Sequence, residues 1–215
     1  MRLFLSSQDL GNFGSVAVEM AGQNKKLAYI KNSQDNLPEG ERNFTTPERK
    51  QRFEKLGFVF EELDLREYFG KHDKLREVLS GFGAVMCAGG NTFILRRAMK
   101  ESGFDNIIKD MLNEDKILYG GWSAGACVTA HSLKELARGD LPGSEVVPDS
   151  YPSKETIWEG LGLVNFTIVP HCDMDWFKDD ARKIISNLES TGKRYYALND
   201  GEVIIVKGKK VEVLR

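Results

Sequence analysis

Three cysteines, three histidines and six prolines in 215 residues leave this chain poor in the residues that staple, ligate and interrupt a fold. An odd cysteine count without a C-x-x-C pair excludes a disulfide framework and the common zinc sites. Free thiols fit a reducing compartment, so a cytoplasmic location is expected. No apolar run reaches the roughly 18 residues of a membrane span, and the one at the start, up to Leu5, is too short for a secretion signal. A dominant charge is also missing: 30 Lys and Arg stand against 32 Asp and Glu, for a net charge of −2. Proteins that bind the phosphate backbones of nucleic acids usually carry a basic excess, often with interleaved aromatics, so nucleic acid is not an expected partner. Repeats and low-complexity tracts are absent too. Apolar residues make up 41%, enough for an ordered core, and about 150 residues per domain predicts a single α/β domain over 1–215.

What is present alternates. Apolar runs at Arg2–Leu5, Leu27–Ile30, Phe58–Leu63, Ala84–Ala88, Ile117–Tyr119 and Val164–Val169 read as strands. Tyr195–Leu198, Glu202–Val206 and Lys210–Leu214 close the chain, the last two as a hairpin through Lys207-Gly208-Lys209. Helical spacing marks Phe13–Met20, Asp73–Leu79, Phe93–Met99, Ile107–Leu112, Ala124–Ala130 and Trp176–Leu188. Another helix opens at Thr46-Pro47-Glu48 and stops at Gly57. Gly120-Gly121 reads as a strand break and Arg138–Trp158 as a long polar loop. Alternating strands and helices predict a parallel sheet covered on both faces, whose ligands sit beyond the carboxyl ends of the strands. The residues to inspect are therefore Ser6-Ser7-Gln8, Asn32-Ser33, Gly89–Thr92, Gly121–Gly125, His171–Asp173 and Asn199–Glu202.

Gly121-Trp122-Ser123-Ala124-Gly125 has the form G-x-S-x-G between a predicted strand and a predicted helix. A nucleophile elbow needs that context, because flanking glycines allow a sharp turn that lifts the serine above the sheet. The following helix start offers N–H groups to a developing oxyanion, Ala124 first among them. A serine attacking at neutral pH needs a base. His171 ends a strand on the same edge as the elbow. His72 sits in the charged Gly70-Lys71-His72-Asp73, and His131 lies far along the elbow helix. The carboxylate that orients the base comes from Asp173, Asp175, Asp200 or Glu202, with Asp200 favoured after its strand. An α/β-hydrolase order of serine, acid, histidine would need Asp140 or Asp149 instead.

Gly89-Gly90-Asn91-Thr92 lacks the lysine of a P-loop and the third glycine of a dinucleotide fingerprint. It suits the other half of an oxyanion hole through Gly90, with Gly89, Asn91 and Thr92 at the substrate; the plainer reading is a turn capped by Asn91. Cys87 and Cys127 read as core residues, and a metal held by Cys127 and His131 is disfavoured. Cys172, beside the proposed base, could react, although its side chain should point away from that of His171.

With Ala88-Gly89-Gly90-Asn91-Thr92, Gly121-Trp122-Ser123-Ala124-Gly125-Ala126, Val169-Pro170-His171 and Asn199-Asp200-Gly201 in this order, nearly the whole chain resembles the peptidase E family. These are α-aspartyl dipeptidases related to cyanophycinase. The resemblance implies a flavodoxin-like, doubly wound, mostly parallel sheet of the class I glutamine amidotransferase type, with serine where those enzymes carry cysteine. It implies Ser123 as nucleophile, His171 as general base, and Gly90 and Ala124 as oxyanion donors. Asp200 falls where the family carries a glutamate. The family grips its substrate aspartate with an arginine beyond the histidine; here the stretch from Cys172 to Lys183 is shorter, and its arginine is Arg182. The expected activity is hydrolysis of short peptides through a Ser–His–Asp triad, without metal or organic cofactor. A serine esterase or amidase of other specificity, and a non-catalytic ligand-binding member, are the alternatives. A small peptide substrate is the expected partner, with no nucleic acid and no membrane; a homodimer is the assembly to test.

Overall fold

In a computed structural model, which describes residues 1–136 and 144–215, apolar side chains along the central strands divide between two cores. Leu3 and Leu5 face one side and Phe4 the other, as Ala28 and Ile30 oppose Leu27 and Tyr29. This period of two is what a strand buried on both faces requires.

In chain order the elements are β1 (Arg2–Ser6), α1 (Gly14–Ala21), β2 (Lys26–Ile30), α2 (Glu39–Phe44), α3 (Thr46–Lys55), β3 (Val59–Glu62), α4 (His72–Leu79) and β4 (Ala84–Cys87). They continue with α5 (Thr92–Glu101), α6 (Phe104–Asn113), β5 (Leu118–Trp122), α7 (Ala124–Cys127), β6 (Thr167–Val169), α8 (Lys178–Ser190), β7 (Tyr195–Ala197), β8 (Val203–Lys207) and β9 (Lys210–Leu214). Seven strands form one sheet in the order β3-β2-β4-β5-β1-β8-β9. The first five are parallel, while β8 runs antiparallel to β1 and β9 to β8. The fold is α/β, mostly parallel, closed by the expected hairpin.

Helices α4, α5 and α6 cover one face with Leu75, Leu79, Ile94, Leu95, Ile107 and Ile108. On the other face, α1 and α3 contribute Ala17, Met20 and Phe53. Each large apolar side chain buried this way stabilises the fold by about 1.5–3 kcal/mol. Because β1, β2, β4 and β5 are parallel, their carboxyl ends share one edge, and the loops after them face a common space.

Four details differ from the sequence expectations. First, β5 does not break at Gly120-Gly121 but runs through both. A side chain at Gly120 would meet Met86 Sδ at 2.7 Å, so this glycine serves close packing inside a continuous strand. Second, α7 ends at Cys127 rather than at Ala130. The carbonyls of Val128, Thr129 and Ala130 accept from Leu161, Leu163 and Gly162 at 2.7, 2.9 and 3.0 Å, and Thr129 Oγ1 bonds back to Ala126 O at 2.7 Å. Third, β6 and β7 do not join the main sheet but pair in parallel with each other, with α8 packed on them through Ala181, Ile184 and Leu188. Fourth, the polar, apolar-poor α2 precedes the expected α3. Residues 144–158 of the expected loop carry no helix or strand, and its earlier part lies outside the described residues. Buried Arg97 organises this loop from α5, donating to Glu155 O at 2.8 Å and Val146 O at 3.0 Å.

Candidate active site

The elbow forms because three backbones approach too closely for any Cβ. A side chain at Gly121 would come within 2.5 Å of Gly125, and one at Gly125 within 2.2 Å of Cys87 O. Ser123 between them adopts φ +48°, the left-handed region that a residue with a Cβ rarely occupies. Its N–H donates to Ser6 O at 3.1 Å, tying the turn to the end of β1. Such stored strain, about 1–3 kcal/mol, persists where the surroundings over-determine it.

The Gly89-Gly90 loop leans on this elbow. A Cβ at Gly89 would lie 3.2 Å from that of Ser123, and one at Gly90 would strike Ser33 O at 2.6 Å. The loop is fixed from β2's side: Ser33 Oγ donates to Gly89 O at 2.8 Å, Gln34 Nε2 to the same carbonyl at 3.0 Å, and Asn91 N–H to Ser33 O at 2.7 Å. Asn91 Oδ1 caps α5, accepting from Phe93 N at 2.9 Å and Ile94 N at 3.1 Å, so the capping role read from the sequence is present.

His171 comes from outside the main sheet, just past β6, and its φ is +58°. Its Nδ1 lies 2.7 Å from Asp200 Oδ1, which comes from the turn between β7 and β8. A carboxylate oxygen has no proton to give, so Nδ1 is the donor, and in the neutral ring the nitrogen without a proton is Nε2. Trp176 and Phe177 flank the imidazole at ring-centroid distances of 4.9 and 6.0 Å.

The other acids have different partners. Asp173 Oδ1 accepts from Asp200 N–H at 2.9 Å, Asp175 pairs with Lys178 in solvent, and Glu202 Oε2 accepts from Asn199 N–H at 2.8 Å. Asp149 is exposed, and Asp140 lies outside the described residues. Of the remaining histidines, His72 is exposed with Nε2 3.3 Å from Glu101 O, and His131 is exposed beside Gly162, away from the elbow. Among the described residues, no cluster of three or more potential metal ligands occurs.

A cavity of about 640 Å³ opens over this edge. Ser123, His171, Gly89, Gly90, Asn91, Thr92 and Ala124 all line it, so every residue singled out for the site except Asp200, which stands behind the imidazole, meets in one space. Cys127 also lines it, but burial pushes its thiol up to about 12. Burial raises the Cys172 thiol as well, and its Sγ turns to Val169 O at 3.3 Å. Both thiols are thus held as the poorly nucleophilic protonated form.

Arg182 does not line the cavity; it pairs with Asp179 at 3.0 Å in solvent. Among the described residues, the cation that lines it is Arg49 of α3, whose guanidinium lies 5.4 Å from the Trp122 ring centroid and pairs with buried Asp9. Nothing in the sequence around Arg49 marks it for this place. Ser7 was visible only as one of the residues after β1. It turns out to touch both His171 and Asp200.

A strained serine at a strand-to-helix elbow, sharing a cavity with a carboxylate-paired histidine, is the arrangement of an α/β serine hydrolase. Residues 14–214 match peptidase family S51, and the chain belongs to that family: it is a serine-type peptidase. It is 33% identical over 165 residues to an uncharacterized peptidase of Listeria monocytogenes, an alignment covering 75% of this chain and 74% of the relative. It is also 27% identical to an uncharacterized peptidase of Pasteurella multocida over 88% of this chain and 86% of that one. A shorter match, 32% identical over 41% of this chain, reaches a probable alpha-aspartyl dipeptidase of Drosophila melanogaster, covering 32% of that protein. Among solved structures, a Listeria monocytogenes protein carrying the peptidase E name superimposes with a TM-score of 0.77 at 26% identity, over 100% of this chain and 98% of that one. A peptidase from an acI-B1 Actinobacterium shares the fold with a TM-score of 0.73 at 18% identity, over 99% and 86% of the two chains. Among the described residues, no helix is long and apolar enough to cross a membrane.

Proposed function

We propose that this serine peptidase hydrolyses short peptides, dipeptides with an amino-terminal aspartate among them, through an acyl-enzyme on Ser123. The observation that carries the reading is the His171–Asp200 pair at 2.7 Å, with its imidazole lining the cavity that also holds the strained Ser123. His171 Nε2 takes the Ser123 proton as Oγ attacks the peptide carbonyl carbon. The oxyanion rests on the N–H groups of Gly90 and Ala124. His171 then gives its proton to the leaving amine, which departs and leaves an ester on Ser123. Water adds to that ester with His171 again taking a proton, and the acid departs as Ser123 regains its own. The step uses the chain's own groups and calls for no cofactor.

Two observations support the aspartate preference. One is the name of the Drosophila relative. The other is the cavity cation: Asp9 pairs with both Arg49 and Arg52, so two guanidiniums face one carboxylate and one positive charge remains for a substrate carboxylate. A buried acidic side chain needs such a partner. The free thiols of Cys87, Cys127 and Cys172 support the cytoplasm as the place of work.

The test is hydrolysis of Asp-X, Ala-X and Gly-X dipeptides by the wild type and by Arg49→Met. Asp-X should be cleaved fastest, and the variant should lose more than about tenfold in kcat/KM for Asp-X alone. Equal rates for the three peptides would remove the aspartate preference. No cleavage of any would overturn the dipeptidase reading.

A further inference from the structure

The carboxyl end of β1 reaches each member of the Ser123–His171–Asp200 set. Ser6 O accepts the N–H of Ser123 at 3.1 Å. One residue on, Ser7 Oγ accepts the N–H of His171 at 2.8 Å and donates to Asp200 Oδ1 at 2.7 Å. Ser7 is itself anchored through its own N–H to Glu202 O at 3.2 Å. These partners arrive from β5, from the end of β6 and from the turn before β8, so a single strand end gathers three separate segments.

The direction of each bond follows from the chemistry. A backbone N–H can only donate, so the hydroxyl must accept from His171. A carboxylate can only accept, so the single hydroxyl proton goes to Asp200. Ser7 is fully buried, so its own hydroxyl is shielded from water. Asp200 Oδ1 takes the proton of Ser7 on one side and that of His171 Nδ1 on the other. His171 meanwhile holds φ +58°, a conformation that a non-glycine residue keeps only when its neighbours impose it.

We propose that Ser7 is a positioning residue of this peptidase. Its hydroxyl holds the His171 main chain and the Asp200 carboxylate in mutual register, so Nδ1 stays on Oδ1 and Nε2 faces the cavity. Ser7 is not a second nucleophile: both sides of its Oγ are committed, and it does not line the cavity. The inference rests on the serine-peptidase mechanism proposed above.

The test compares Ser7→Ala, Ser7→Thr and Ser7→Val. Threonine keeps the hydroxyl, and valine has the shape of threonine without it. Labelling of Ser123 by a fluorophosphonate and kcat for a dipeptide should both fall by about 10- to 100-fold in the Ala and Val variants, the scale on which misplacing a catalytic group costs rate, with KM little changed. Ser7→Thr should recover most of that loss. Proton NMR gives a readout that needs no turnover. The low-field Nδ1–H resonance of His171 should move in the Ala and Val variants and return in Ser7→Thr. Wild-type labelling rates with an unmoved resonance in Ser7→Ala, or equal losses in the Thr and Val variants, would overturn the role of the hydroxyl. If the wild type itself does not label, the peptidase mechanism fails, and the resonance still decides whether Ser7 sets the imidazole.

Discussion

Asp200 Oδ1 meets His171 Nδ1 at 2.7 Å, and the same oxygen accepts the hydroxyl proton of Ser7. In the proposed mechanism the carboxylate holds the neutral imidazole in the tautomer whose unprotonated nitrogen serves Ser123. Replacing it with an amide keeps the shape but allows the wrong tautomer. Asp200→Asn should lower kcat by about 10³- to 10⁴-fold with KM little changed. Asp173→Asn keeps an oxygen that can accept from the Asp200 N–H and should cost far less. Steady-state kinetics on both variants checks the assignment; equal losses would point to Asp173 as an equal partner.

The elbow's glycines make a separate prediction. A methyl at Gly125 would lie 2.2 Å from Cys87 O, whereas one at Gly40 in α2 meets nothing within 4 Å. Gly125→Ala should destabilise the fold by about 1–3 kcal/mol, the usual cost of overpacking. Gly40→Ala should be neutral or stabilise by up to about 1 kcal/mol, since alanine favours a helix. Urea denaturation of the two variants separates a packing effect from a general dislike of the extra methyl.

Acid stability should depend on Asp64. Burial pushes its carboxyl up, but hydrogen bonds from Arg66 and Asn32 outweigh that and hold it well below the usual carboxylate range. The folded state therefore binds this proton less readily than the unfolded chain. The stability Asp64 contributes is fully present above the unfolded value of about 3.9 and is lost as the pH falls through the lower folded value. Thermal melts of the wild type should drop more steeply in acid than those of Asp64→Asn, while the variant is the less stable at neutral pH. Parallel acid limbs would contradict this. The consequence reaches the site. Asn32 bonds both Asp64 and Asp35 at 2.8 Å, and the turn it begins carries Ser33 and Gln34, which hold Gly89.

The parts of the site legible in the sequence are those where geometry demands one residue type. Gly121 and Gly125 are written into the chain because no Cβ fits there, so the elbow could be read directly. His171 followed from scarcity, since His72 and His131 sit in charged or distant settings. The parallel sheet covered on both faces followed from the alternation of short apolar runs with helical stretches along the chain. Other features depend on partners far along the chain. The three residues of β6 satisfy a strand pattern whichever sheet they join, and only their pairing with β7 decides it. Gly120 reads as a breaker until Met86 is seen packed over it. Arg49 and Ser7 are a helix arginine and a loop serine locally, and they acquire meaning only through Trp122, His171 and Asp200.

Whether Ser123 is the nucleophile of this peptidase is decided by labelling with a fluorophosphonate followed by intact mass and peptide mapping. The wild type should gain one probe mass on Ser123, and folded Ser123→Ala should gain none. Labelling of Ser123→Ala at the wild-type rate, or a folded wild type that does not label at all, would contradict that role.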